Sequence, residues 1–161
     1  MAEIVLARVD ARMIHGAVVS TWVPNTHANV LFAVDDETYQ DEFKCTIMKN
    51  CALNIRSEVY SVEKLVEVWN SGRLRNRKVL VVFKSIDMAY QAYRRGFPLS
   101  ALQLGYIIPD ETKTIQADDR KAVVVSLEDI EKLRELRDAG IDIYMQYSPQ
   151  FVPVAYTKYE T

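Results

Sequence analysis

The chain is short of the residues that build metal centres and disulfide frameworks, with two cysteines and two histidines among 161 residues. Cys45 and Cys51 are expected on one helix, where their spacing sets them about 120° apart around the axis, a poor geometry for a shared metal. They read as ordinary buried or half-buried thiols. No metal-binding cluster is visible, and no cofactor is expected. Long apolar runs are missing too. No stretch approaches the roughly 18 residues of a membrane span, and the opening MAEIVLARVDAR carries charge too early for a signal-peptide core. A soluble, cytoplasmic protein is the expectation. An excess of one charge is also absent: 20 basic against 22 acidic residues leave a formal charge of -2, which provides no bulk attraction for nucleic acid or an anionic membrane. Any partner must be recognised locally.

Apolar residues, by contrast, make up 49% of the chain, enough for one substantial core, and a single domain over residues 1 to 161 is expected. Short β-branched runs alternate with helical patterns. IVLA (4–7), NVLFAV (29–34), EVYS (58–61), KVLVVF (78–83), ALQLGY (101–106) and IDIYMQ (141–146) read as strands, several of them apolar on both faces as buried parallel strands are. Val62, Leu65, Val66 and Trp69 mark a helix over about 62–71, with Ser61 suited to cap it. Leu127, Ile130, Leu133 and Leu136 mark another over 127–138, opened by a Ser126 and Asp129 capping arrangement. The alternation predicts an α/β fold: an open, doubly wound, mostly parallel sheet of about six or seven strands with helices on both faces.

With only five glycines, each needs a reason. Gly72, Gly96 and Gly140 each follow a helical pattern and are expected at helix ends. Gly16 and Gly105 instead fall near the C-terminal ends of strands one and five, the edge at which open α/β sheets bind ligands. For Gly105 a bulge or close packing weighs equally with a functional contact.

The stretch ARVDARMIHG, residues 7–16, holds the densest chemistry in the chain. If strand one ends at Ala7, residues 8–15 form the loop that leaves it, and Gly16 opens a helix whose inward face carries Val18, Val19 and Trp22. Pro24 should end or bend that helix early. The unpaired N–H groups of a helix start bind an anion such as phosphate, and Arg12 could add a forked, charge-assisted clamp. A neutral imidazole is a nucleophile near neutral pH, so His15 could take a phosphoryl group and pass it on, with Asp10 or a backbone carbonyl fixing which ring nitrogen attacks. Positioning and charge stabilisation dominate such a reaction. The residues alone leave the bland reading equally open, in which His15 packs a helix start and the arginines solvate a loop.

The segment IVLARVDARMIHGAVVSTW resembles the N-terminal signature of the IIB subunits of the mannose/fructose/sorbose family of the bacterial phosphoenolpyruvate-dependent sugar phosphotransferase system (PTS), which reads R-I-D-D-R-L-I-H-G-Q-V followed by a tryptophan. NVLFAVDDE, SVEKLVE, VLVVFKS and SLEDIEKLRELRDAGIDI extend the resemblance along nearly the whole chain. It implies that His15 accepts phosphate from a phosphohistidine of a IIA subunit or domain and passes it to a sugar entering through the membrane subunits IIC and IID. The protein would then be cytoplasmic, peripherally associated with that transporter. By the same resemblance Arg12 neutralises the phosphoryl group, Asp10 and Arg8 shape the loop, Arg8 also being a candidate phosphate contact, and the amides around Ile14 and Gly16 cradle the oxygens. The chain departs from the pattern at Ala11 (Asp in the family), at Ala17 (Gln) and after Gly105, where Tyr106, Ile107 and Ile108 replace a Gly-Gly-Met or Gly-Asn-Met segment.

Lys84, just beyond the fourth strand, shares the edge with His15 and joins Gly105 as a candidate second-loop contact, although a solvated strand-end lysine is the commoner case. His27 reads as a surface residue, and Arg73, Arg75, Arg77 and Lys78 as a solvated loop. The Tyr-rich tail FVPVAYTKYET is either a strand-like arm against a neighbour or a loose end, and a homo-oligomer is compatible with the sequence. Three function classes compete: a phosphocarrier, a non-transferring phospho-responsive regulator on the same fold, and an unrelated phosphate enzyme. A histidine phosphatase needs a second late histidine, and none follows His27; a dinucleotide site needs G-x-G-x-x-G, which is absent.

Overall fold

The computed structural model describes residues 1–160. In chain order its strands are β1 (Glu3–Asp10), β2 (Val30–Val34), β3 (Arg56–Tyr60), β4 (Lys78–Phe83), β5 (Ala101–Tyr106), β6 (Ile115–Gln116), β7 (Val124–Val125), β8 (Asp142–Met145) and β9 (Val154–Ala155). Seven form one sheet ordered β3-β2-β4-β1-β5-β8-β9, parallel throughout except for β9; β6 and β7 form a separate antiparallel pair. Its helices are a π-helical turn at Val18–Trp22 that runs into α1 (Val23–Thr26), then α2 (Asp36–Tyr39), α3 (Glu42–Asn50), α4 (Val62–Asn70), α5 (Ile86–Arg94) and α6 (Leu127–Asp138). This is the doubly wound α/β sheet expected of alternating strands and helices.

Alternation along the strands feeds two cores. Val9, Phe32, Val81 and Leu104 face the helices α4, α5 and α6 on one side of the sheet. Leu6, Leu31, Ala33 and Val82 face Met13, Ile14, Val18 and Trp22 on the other. Local signals agree with this packing. Ser61 accepts from the Lys64 N–H to open α4, and Ser126 and Asp129 form the reciprocal capping box that opens α6.

Several expectations need correction. β1 does not stop at Ala7 but continues through Asp10, so Arg8 and Asp10 are strand residues and the loop begins at Ala11. Cys45 lies within α3, but Cys51 is its C-cap. Pro24 does not stop the helix that Gly16 begins. The preceding turn widens to a π-helix, with the Val23 N–H donating to Val18 O, and the helix continues to Thr26. Within the tail, β9 returns to pair with β8 of the same chain, matching Tyr144 with Ala155 and Met145 with Val154. Among the described residues, no helix is long and apolar enough to cross a membrane.

Candidate functional site

The loop after β1 is held from inside. Met13 adopts a left-handed φ of 58°, which costs a non-glycine residue about 1–2 kcal/mol, and its side chain is buried beside that of Ile14 in the second core. These two anchors turn the chain so that His15 emerges with its side chain 19% exposed, at the C-terminal edge of the sheet. A buried histidine could not meet a partner; this one can.

Asp10 is the hub of the site. Its fully buried carboxylate accepts from Arg12 through the backbone N–H (3.0 Å) and Nε (3.0 Å) on Oδ1 and through Nη2 (2.9 Å) on Oδ2. Arg8 Nε and Nη2 also donate to Oδ2, at 3.2 Å each, and His15 Nε2 lies 3.4 Å from that oxygen. Burial alone would raise the Asp10 carboxyl; the hydrogen bonds from His15 and Arg12 and the charge of Arg8 outweigh it and hold the group well below the usual carboxylate range. Asp10 also keeps Arg12 above its ordinary value despite the opposing effect of burial. With two guanidiniums around one carboxylate, the site stays net positive when His15 is neutral.

Arg8 serves this hub from within the sheet. Besides the bonds to Asp10, its Nη1 donates to Gln103 Oε1 (2.6 Å) and Gln146 O (2.8 Å), and Nη2 to Tyr147 O (2.9 Å). All five N–H groups are engaged, so none is left for phosphate. Burial pushes the guanidinium down from its ordinary value while Asp10 opposes that, and an arginine stays charged throughout. The Trp22 ring, 5.2 Å from Arg8 Cζ, supplies an aromatic face.

Gly105 belongs to the same arrangement. Against β1, the register runs Arg8 with Gln103, Val9 with Leu104, then Asp10 with Tyr106, so Gly105 is the extra residue of a β-bulge. A Cβ there would collide with the Arg8 guanidinium. Both packing reasons weighed from sequence therefore apply together, and the glycine meets Arg8 directly. Lys84, the other second-loop candidate, lies 3.8 Å from Asp35 at the end of β2 and makes no hydrogen bond to the Asp10 cluster. His27 is exposed beyond α1, as expected of a surface residue.

Two residues escaped a functional reading. Tyr106 stood only as a departure from a pattern, and Tyr147 lies one position past the predicted sixth strand. In the structure the Arg12 guanidinium sits 4.5 Å from the Tyr106 ring centre and 5.4 Å from that of Tyr147. The signal that could have found them is their position at the C-terminal ends of β5 and β8, the edge that already carried His15.

Together these groups form a positively charged cradle around a partly exposed imidazole at a helix start, an arrangement suited to accepting a phosphoryl group. A profile described as the PTS system sorbose subfamily IIB component matches residues 4–155. The chain belongs to that family. It is 30% identical over 141 residues to a sorbose-specific EIIB component of Lacticaseibacillus casei, covering 87% of this chain and 84% of that one. Against the mannose-specific EIIAB component of Escherichia coli K12, it is 27% identical over 139 residues, covering 86% of this chain but 42% of that protein. The crystal structure of the IIBSor domain of the Klebsiella pneumoniae sorbose permease superposes with a TM-score of 0.88 at 26% identity, over 95% of this chain and 93% of that one. This IIB component is thus a phosphocarrier, a phosphotransferase subunit of a sugar-transport system, and the non-transferring alternative finds no favour among these relatives.

Proposed function

We propose that His15 is the residue that carries the phosphoryl group, and that it does so on Nδ1. The observation that carries this reading is the Asp10 carboxylate 3.4 Å from Nε2. A carboxylate held ionised only accepts hydrogen bonds, so it selects the tautomer with hydrogen on Nε2 and leaves the Nδ1 lone pair for attack. The Ala17 N–H points to Nδ1 at 3.3 Å, a long contact that a phosphoryl group arriving there would replace.

In the transfer the Nδ1 lone pair forms the new P–N bond while the P–N bond to a donor phosphohistidine breaks, its electron pair returning to the donor ring. The proton stays on Nε2, and the positive charge that the ring acquires faces Asp10. Arg12 Nη1, whose hydrogen bond to the Tyr147 hydroxyl is 3.5 Å long, is the guanidinium end available to the phosphoryl oxygens. The N–H groups around Ile14 and Gly16, at the start of the helix, complete the cradle. Arg8 acts one step removed, by holding Asp10.

The donor is a IIA subunit or domain and the acceptor a sugar hydroxyl presented by membrane IIC and IID subunits, with the chain working as one IIB domain beside the membrane. The relative named EIIAB supports the first pairing. Mass measurement after incubation with phosphoenolpyruvate, the general PTS proteins and a IIA subunit tests the reading. One acid-labile phosphate is expected on the wild type and none on His15→Ala, with phosphorus–nitrogen NMR couplings placing it on Nδ1. A phosphate that persists in His15→Ala removes the assignment, and a coupling to Nε2 removes the role given to Asp10.

A further inference from the structure

Arg12 reaches the site in an unusual setting. Asp10 binds one side of its guanidinium through Nε and Nη2, at 3.0 and 2.9 Å. The other side, at Nη1, is held by no carboxylate or carbonyl among the described residues, only by the Tyr147 hydroxyl at 3.5 Å. Around it stand two aromatic rings in an L-shaped corner: Tyr106 and Tyr147 have ring centres 6.3 Å apart and an interplanar angle of 74°. The guanidinium carbon lies 4.5 Å from the first centre and 5.4 Å from the second. Tyr106 is itself fixed, because the Ala11 N–H donates to its carbonyl oxygen at 2.9 Å, and Tyr147 is tied to the core because its carbonyl accepts from Arg8.

We infer that Tyr106 and Tyr147 form an aromatic clamp that fixes the plane of the Arg12 guanidinium, so that Nη1 faces the phosphoryl group during transfer; they are positioning residues, acting through Arg12. The inference rests on the role of Arg12 proposed above. A two-point contact with Asp10 leaves a long side chain free to rock about the line through Nε and Nη2, whereas stacking on a ring face opposes that motion. Rigid orientation of a charged group toward the place where charge develops is what lowers the barrier of phosphoryl transfer. The acceptor they offer Nη1 is the distant Tyr147 hydroxyl at 3.5 Å.

The test combines variants at Tyr106 with Arg12→Ala, following single-turnover phosphoryl transfer from a phosphorylated IIA subunit and the Arg12 Nε–H resonance by NMR. Tyr106→Leu should slow transfer about tenfold at saturating donor, and Tyr106→Phe, which keeps the ring, should restore most of that loss. In the Arg12→Ala background, Tyr106→Leu should add little, because the residue acts through Arg12. The Nε–H resonance should lose its ring-current shift in Tyr106→Leu and keep it in Tyr106→Phe. An equal slowing with and without Arg12, or a change confined to the KM for the donor, would overturn the clamp and leave Tyr106 a packing or docking residue. If wild type accepts no phosphate, the reading of His15 fails separately; the resonance and a titration with inorganic phosphate still decide the clamp, which is upheld if Tyr106→Leu removes the ring-current shift and weakens phosphate binding, and is overturned if both are unchanged.

Discussion

The two histidines lie at opposite ends of the sheet. His15 stands at the C-terminal edge, within reach of a buried carboxylate and beside a guanidinium in an aromatic corner. His27 follows α1 at the N-terminal edge, exposed in a left-handed conformation with φ of 58°, and makes no side-chain hydrogen bond among the described residues. That same end holds a cavity of about 760 Å³, lined by Met1, Ile4, Trp69, Leu74 and Ser100 among others, with Arg75 as its ionisable side chain. A smaller hollow of about 530 Å³, lined by Gly105, Gln146 and Tyr147 among others, lies at the reactive end, so volume does not follow the chemistry. In a parallel sheet the strands end, and the helices that follow them begin, on one edge, so amide N–H groups and helix dipoles converge there whatever the size of the opening. Converging charge marks the reactive end better than volume does.

Histidine replacement gives the sharpest contrast. His15→Ala is expected to abolish acceptance of phosphate from the IIA donor, while His27→Ala accepts it at the wild-type rate, both read by single-turnover mass measurement. Loss of transfer in His27→Ala would break the assignment of the two ends.

Asp10→Asn comes next. It removes a buried anion and leaves Arg8 in the sheet without its charge partner, so unfolding in urea at pH 7 should show a loss of about 3–5 kcal/mol. The folded carboxyl is held below its unfolded value. Its contribution is therefore complete above the unfolded pKa of about 3.9 and is lost as pH falls from there toward the folded value. The stability gap between wild type and Asp10→Asn should accordingly be constant from pH 7 to about 5 and narrow by pH 3. A gap that widened in acid would mean that Asp10 is not the ionised partner of Arg8 and Arg12.

Much of the reactive end was legible in ten residues of sequence, and the reason for the remainder is physical. His15, Arg12 and Gly16 lie on a loop whose chemistry is local, so their types and spacing announce them. Arg8 and Asp10 read as loop residues from the sequence, because charge after an apolar run normally marks a strand end. Their actual place inside β1 is made tolerable by Gln103 and by the carbonyls of Gln146 and Tyr147, partners 95, 138 and 139 residues away. No local pattern encodes such partners. Gly105 is the same case, since the bulge it occupies is a property of two strands in register. At the opposite end, the glycines expected to close α4, α5 and α6 have φ of 79°, 93° and 93°, because helix ends are local features.

Gly105→Ala tests how tightly the long-range part is built. The added methyl meets the Arg8 guanidinium in a filled space, and either the bulge or Arg8 must move. A loss of about 1–3 kcal/mol in urea unfolding is expected, together with slower transfer, because Arg8 positions Asp10. Unchanged stability would show that Arg8 can swing aside, and with it that Asp10 is held by Arg12 and His15 alone.

The smallest effect belongs to the emptier end. Ser100 is exposed on the rim of the N-terminal cavity, and its backbone carbonyl accepts from the Asp142 N–H, a bond that a side-chain change leaves intact. Ser100→Phe places a ring over the opening. If the cavity has no part in transfer, stability should move by no more than about 0.5 kcal/mol, as for surface substitutions generally, and the transfer rate should stay within about twofold of wild type. A large fall in transfer with normal stability would mean that this end communicates with His15 or contacts a partner during the reaction. The two ends of the sheet could then no longer be divided into one that reacts and one that only packs.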